Sequence, residues 1–356
     1  MCRRLLPPLV VLFLLATACG GEATPGSAGS PGAVDATGGG DLQTVAAVYP
    51  LAWVAGQIAP DAEVNLLNEG GQEAHDLDIS PPQRAAIETA DVVLYMGDID
   101  YQPQVEDAIP AAPGEVVSAA EVAGDDALLA ASADAHAHED EGEAHTDDEA
   151  DAHADEEADA HDGEESEGHA DEGTDDHADE EGGVDPHLWF DPAILAEVAV
   201  AAGEAFAAAD PDNAEAYQQN AAAVSEQLTG LGDDLDDLLG GDCAFDEAIV
   251  SHAAYAYLLQ PYGKTQHAVT NVSAEGDASA GELAEIVGEI REEGFTHVLA
   301  EPVEGREGAE AVANEAGVEL LEISPLDAVT EEQAAAGLPD LVRAQAEAFA
   351  TALGCA

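Results

Sequence analysis

Positive charge is what this chain lacks most: 7 Lys and Arg stand against 77 Asp and Glu in 356 residues, a formal net charge of −70. Of the seven, Lys264 is the single lysine. Phosphate backbones are held by a basic footprint, so nucleic acid is excluded as a partner. An anionic membrane surface is disfavoured for the same reason. Aromatic residues make up 4%, yet apolar residues reach 46%, largely Ala, Val and Leu, enough for a packed core and evidence against wholesale disorder. There are four cysteines and no CxxC pair, which argues against a thiolate metal site. Beyond the N-terminus no run is expected to span a bilayer. What remains abundant is acid, and an acidic field draws cations toward almost every face.

The N-terminal residues point to export. Arg3 and Arg4 precede the apolar run Leu5 to Leu15 and the small residues Ala16-Thr17-Ala18, so residues 1–18 read as a signal peptide. Cys19 directly after them resembles the lipidation site of a bacterial lipoprotein. Residues 19–41, rich in Gly, Ser, Pro and Ala, read as a flexible tether. The expected location is extracytoplasmic, at the outer face of the cell membrane through a lipid anchor. With Cys2 removed and Cys19 lipidated, Cys243 and Cys355 remain, and an oxidising compartment favours their pairing as a disulfide.

From Leu42 onward short β-like runs alternate with helical stretches: LQTVAAVY, AEVNLL, DVVLYMG and EVVSAA, then FDEAIVSH, TQHAVTN, FTHVLAE and VELLEIS. Such βα repetition predicts an α/β fold of mostly parallel sheets. Two lobes are expected, 42–210 and 241–356, joined by a long helix within 211–240.

Residues 133–183 interrupt the first lobe with a stretch that holds no large apolar residue. Its seven histidines are His136, His138, His145, His153, His161, His169 and His177, the last five recurring every eight residues among 24 acids. That composition suits weak, exchangeable capture of divalent metal. The alternative is a solvated acidic spacer, which accounts poorly for the histidine period.

Five further histidines lie outside this stretch. His75 follows the run AEVNLL, His187 sits in DPHLWFDP with prolines on both sides and acids near enough to orient the ring, and His252 ends the run IVSH. Ligands of open α/β sheets bind at the carboxyl ends of strands, so these three could converge on one cleft. His267 and His297 fall within strand patterns and read as structural.

The motifs GGQEAHDLDISPPQ, DPHLWFDP, DPDNAEAYQQN, IVSHAAYAYLLQPYG and VLAEPVEG, in that order over residues 42–355, resemble the metal-specific substrate-binding lipoproteins of bacterial ABC importers, in particular the zinc group. The resemblance implies two Rossmann-like lobes bridged by a rigid helix, with one metal held between them and an acidic His-rich insertion before the second ligand. It implies Zn²⁺ as transported ligand, His75, His187 and His252 as its ligands, and a permease with its ATPase as partners of a monomeric protein. Manganese relatives carry a carboxylate at the place of His252, and imidazole suits zinc better than manganese. For a fourth ligand, water or Asp327 ranks above Glu73, with Ser324 standing where an aligned Asp is expected. Glu301 in AEP is expected to support a ligating ring, and Trp189 to pack beside His187.

Other readings are a manganese or iron binding protein of the same class, and a surface metal buffer or adhesin. A zinc hydrolase would also use three histidines and an open position, but no HExxH, GxSxG or Gly-rich nucleotide loop is present. Since ligation needs neutral imidazole, metal affinity is expected to fall as pH drops through about 6.5.

Overall fold

Eight short strands pair as two four-stranded sheets; the central Val92–Tyr95 is apolar and buried throughout, whereas the edge strands Glu63–Leu66 and Glu319–Glu322 are partly exposed. The computed structural model describes residues 42–68, 74–75, 77–131, 183–270, 279–302 and 305–355. Residues 1–41, Glu73 and the seven histidines between His136 and His177 lie outside the described residues, as does Cys19.

The first sheet contains β1 (Gln43–Ala46), β2 (Glu63–Leu66), β3 (Val92–Tyr95) and β4 (Glu115–Ser118), in the order β2-β1-β3-β4. The second contains β5 (Glu247–His252), β6 (Thr265–Thr270), β7 (His297–Ala300) and β8 (Glu319–Glu322), in the equivalent order β6-β5-β7-β8. Every strand pair is parallel. Helices α1 (Tyr49–Ile58), α2 (Pro81–Ile87), α3 (Pro103–Glu106), α4 (Ala119–Ala123) and α5 (Pro192–Ala209) belong to the first lobe. After α6 (Ala214–Leu239) come α7 (Ala256–Leu259), α8 (Ala280–Glu289), α9 (Arg306–Ala316), α10 (Glu331–Ala336) and α11 (Leu338–Leu353).

The helix α6 carries one apolar stripe, Tyr217, Ala221, Val224, Leu228, Leu231, Leu235 and Leu239, at the three- and four-residue spacing of a single helix face. Twenty-six residues span roughly 39 Å, enough to touch both lobes. Its Asn220 Nδ2 donates to Ile58 O of α1 at 3.0 Å, and its Asp234 Oδ2 accepts from Arg343 Nε of α11 at 3.1 Å. Further bonds cross between the lobes: Tyr49 N donates to Asp327 O at 2.8 Å, Trp189 Nε1 to Pro325 O at 2.7 Å, and Leu129 N to Tyr257 Oη at 2.9 Å. One apolar cluster accordingly runs through both lobes, while a smaller one lies on the far face of each sheet.

The helix α5 is itself long and apolar enough to cross a bilayer, with mean hydropathy 1.5, contrary to the expectation drawn from the sequence. It packs as a core helix, burying Ile194, Leu195, Val198, Ala202 and Phe206. Cys243 and Cys355 are joined by a disulfide that ties the start of the second lobe to the end of α11.

The approach of α5 to α6 depends on Gly203, where an added Cβ would lie 2.4 Å from Ala221 Cβ. Gly203→Val should therefore force the helices apart and destabilise the protein by about 1–3 kcal/mol in urea unfolding, with the loss reduced by a compensating Ala221→Gly.

Candidate metal centre

The carboxyl ends of the two sheets supply the site. His252 is the last residue of β5, a central strand of the second sheet. His75 follows β2, in a segment held at both flanks: Gln83 Nε2 donates to Leu67 O at 2.8 Å, and Gln102 Nε2 to Ala74 O at 3.1 Å. His187 leads into a 3₁₀ turn, Leu188–Phe190.

The motif around His187 is accounted for residue by residue. Asp185 Oδ1 accepts from His187 N at 2.9 Å and lies 2.8 Å from its Nδ1, with both side chains 1% exposed. Trp189 is buried and bonded across the lobe boundary to Pro325. Phe190 packs on Tyr255, and Asp191 caps α5 by accepting from Ala193 N at 2.8 Å.

Three imidazoles converge. Ring centroids of His75, His187 and His252 are 5.4, 5.7 and 5.2 Å apart, and one ring nitrogen of each lies within 4.8 Å of the others. A tetrahedral zinc ion at 2.0–2.1 Å needs nitrogens about 3.3 Å apart, so a small inward shift closes the set. His187 and His252 each turn Nδ1 toward a carboxylate, leaving Nε2 as donor toward a metal. For His252 the carboxylate is Glu301 Oε2 at 3.4 Å, and Glu301 is itself fixed by Tyr255 Oη at 2.7 Å and by its own N donating to Ser251 Oγ at 3.0 Å. His75 packs edge-on against Tyr101, and its buried Nε2 has no hydrogen-bond partner. Burial, reinforced by the neighbouring His187 and His252, lowers the His75 pKa to about 2. That ring therefore stays neutral well below pH 6.5, and its lone pair remains available to a cation.

Asp327 is outside the group whose ligand atoms lie within 4.8 Å of one another. Its Oδ2 accepts from Asn68 Nδ2 at 3.1 Å and its carbonyl from Tyr49 N, so it fastens the second lobe to the first. Leu326 beside it has φ 64°, and Asp100 beside Tyr101 has φ 58°. These are the non-glycine residues with left-handed backbone among those described, and each adjoins a residue at the site. Ser324 contributes backbone: its N donates to Gln345 Oε1 at 2.8 Å. Sequence reasoning missed Tyr101, Tyr255, Ser251 and Asn68, none of which carries a metal-ligand signal.

A two-lobed α/β protein with a three-imidazole cluster between its lobes belongs to the class that binds a small cation in an interlobe cleft. Residues 44–352 match the family model described as ZnuA, zinc-uptake complex component A, periplasmic, and the chain belongs to that family. It is 27% identical over 302 residues to the zinc-binding protein AdcA of Streptococcus pyogenes, covering 84% of this chain and 53% of that protein. It is 26% identical to the high-affinity zinc uptake system protein ZnuA of Bacillus subtilis, covering 93% and 90% of the two chains. The chain thus spans about half the length of the streptococcal relatives it matches. The fold is also that of the Zn(II)-bound ZnuA-like domain of Streptococcus pneumoniae AdcA, with a TM-score of 0.63 at 23% identity, covering 88% of this chain and all of that one.

The depressed His75 pKa has a definite sign. The unfolded ring binds a proton below about 6.5 and the folded ring does not, so its contribution to stability is complete above 6.5 and is lost as pH falls from there toward 2. Metal-stripped protein should lose up to about 1.4 kcal/mol per pH unit from this group. His75→Gln should flatten that difference between urea unfolding curves at pH 7 and pH 5; an unchanged pH dependence would remove His75 as its source.

Proposed function

We propose that this protein is the extracytoplasmic zinc-binding component of an ABC-type importer, which captures Zn²⁺ between its lobes and hands it to a membrane permease energised by an ATPase. The observation that carries this reading is the convergence of three imidazoles from both lobes, His187 and His252 buried and His75 partly so. Membership of the zinc-uptake family and the names of the relatives support it. His75, His187 and His252 would bind the ion through nitrogen, with water completing the tetrahedron. Three imidazoles favour zinc over manganese, whose sites are richer in oxygen.

Asp185 and Glu301 would position rather than ligate: each holds a ring by Nδ1 and raises the basicity of the opposite nitrogen. The protein acts by capture and release without covalent chemistry, as a monomer. Residues 1–18 would direct export, Cys19 would carry the lipid anchor, and the histidines of 133–183 would gather zinc weakly near the cleft.

Zinc titration of metal-stripped protein should show one tight equivalent above weaker ones. That equivalent should disappear in His75→Ala/His187→Ala/His252→Ala, and manganese should compete poorly; survival of the tight equivalent in the triple variant, or a preference for manganese, would refute the assignment.

Asp185→Asn and Glu301→Gln should each weaken zinc by about 10- to 100-fold while leaving stoichiometry unchanged. If either variant abolished the equivalent altogether, that carboxylate would be a ligand instead.

A further inference from the structure

A second group of metal-ligating side chains lies in the second lobe, away from the cleft. One ligand atom each of Glu247, His267 and Glu289 lies within 4.8 Å of the others. They come from three elements: Glu247 begins β5, His267 is in β6 and Glu289 ends α8.

Strand geometry separates this group from the cleft. Successive side chains of a strand point to opposite faces, so Glu247 and Ile249 share one face of the sheet and His252 the other. His267 is in register with Ile249, and Ile249 packs with Ile286, Val287 and Ile290 under α8. Five residues of strand place Glu247 roughly 16 Å from His252. The sheet stands between the two groups.

The chemistry of the triad is that of a cation site. The carboxylates of Glu247 and Glu289 face one another beside His267, so like charges are held together in this group. Burial foremost, then the proximity of Glu289, raises the pKa of Glu247. His267, 6% exposed, lies with Nδ1 2.7 Å from Glu289 Oε2. The Glu289 side chain is 27% exposed and leaves an approach from solvent. Immediately after it the helix widens into a π turn, Ile290–Gly294, a local form that recurs at functional sites.

We propose that Glu247, His267 and Glu289 form a second binding site for a divalent transition-metal ion, on the α8 side of the second sheet and independent of the cleft. The ion would bridge β5, β6 and α8 through two oxygens and one nitrogen. Such a donor set is harder than three imidazoles, so it discriminates less between Zn²⁺ and Mn²⁺ than the cleft does. A bound ion would also tie α8 to the sheet.

The test uses the full chain, metal-stripped and then given Zn²⁺ alone, with anomalous diffraction at the zinc edge and calorimetric titration. A zinc peak within bonding distance of Glu247, His267 and Glu289 is expected in the parent and in His75→Ala/His187→Ala/His252→Ala. In Glu247→Gln/Glu289→Gln that peak should be lost while the cleft peak stays, with the affinity of one equivalent falling at least about tenfold. No peak at the triad of the parent under saturating Zn²⁺ overturns the proposal, whatever the Gln variant does. A cleft peak present in that same map would leave the cleft reading standing.

Discussion

Holding three imidazoles together at the carboxyl ends of two sheets is the constraint on which the rest of this structure turns. A buried ring nitrogen with no partner costs on the order of 1–3 kcal/mol, and His75 Nε2 is such an atom. A fold tolerates that cost only if the surrounding packing holds the ring in place regardless. Here the holding is divided. The sheets fix the strand ends, the paired prolines of DPHLWFDP fix the turn, and α6 with the Trp189, Tyr49 and Leu129 bonds fixes one lobe against the other. A cation that accepts the three lone pairs relieves the very cost the apo fold carries.

The three rings are not equivalent. His187 and His252 each face a buried carboxylate at Nδ1, which favours the tautomer that keeps the lone pair on Nε2, across the ring, for a metal. His75 has Tyr101 instead, and burial dominates its protonation. A pH dependence written for three ordinary histidines, with a midpoint near 6.5, therefore does not describe His75, whose ring rejects the proton.

Much of this was legible before the structure. All eight strands fall within the β-like runs read from the sequence, because even the edge strands keep Val, Leu or Ala among their polar residues. The long helix expected within 211–240 is Ala214–Leu239, its start held by Asp210, which accepts from Asn213 and Tyr217. By contrast α1 was hidden: Pro50 at its start and a nearly all-apolar sequence carry no helical period. For the site, each histidine alone was weak evidence, and what joined them was topology, since a strand's carboxyl end is where a doubly wound sheet presents ligands. Asp327 shows the limit. An acid near the last strand looks like a ligand, and its bond to Asn68, 259 residues away in sequence, is visible only in the fold. Glu301 came from the resemblance, while Tyr255 and Ser251, which fix it, carry no signal in one dimension.

The extreme acidity sharpens the role of geometry. With a net charge of −70 the chain repels itself, and an acidic field alone would draw any cation to any face. Selectivity must then come from how carboxylates are placed relative to the donor atoms. In the cleft, Asp185 and Glu301 are held back behind imidazoles, so the atoms presented to an ion are borderline nitrogens. On the other face of the second sheet, Glu247 and Glu289 stand in the same cluster as His267 and would meet an ion directly through oxygen. The same two residue types, arranged in opposite order from the ion outward, thus define one environment suited to zinc and another open to harder divalent ions.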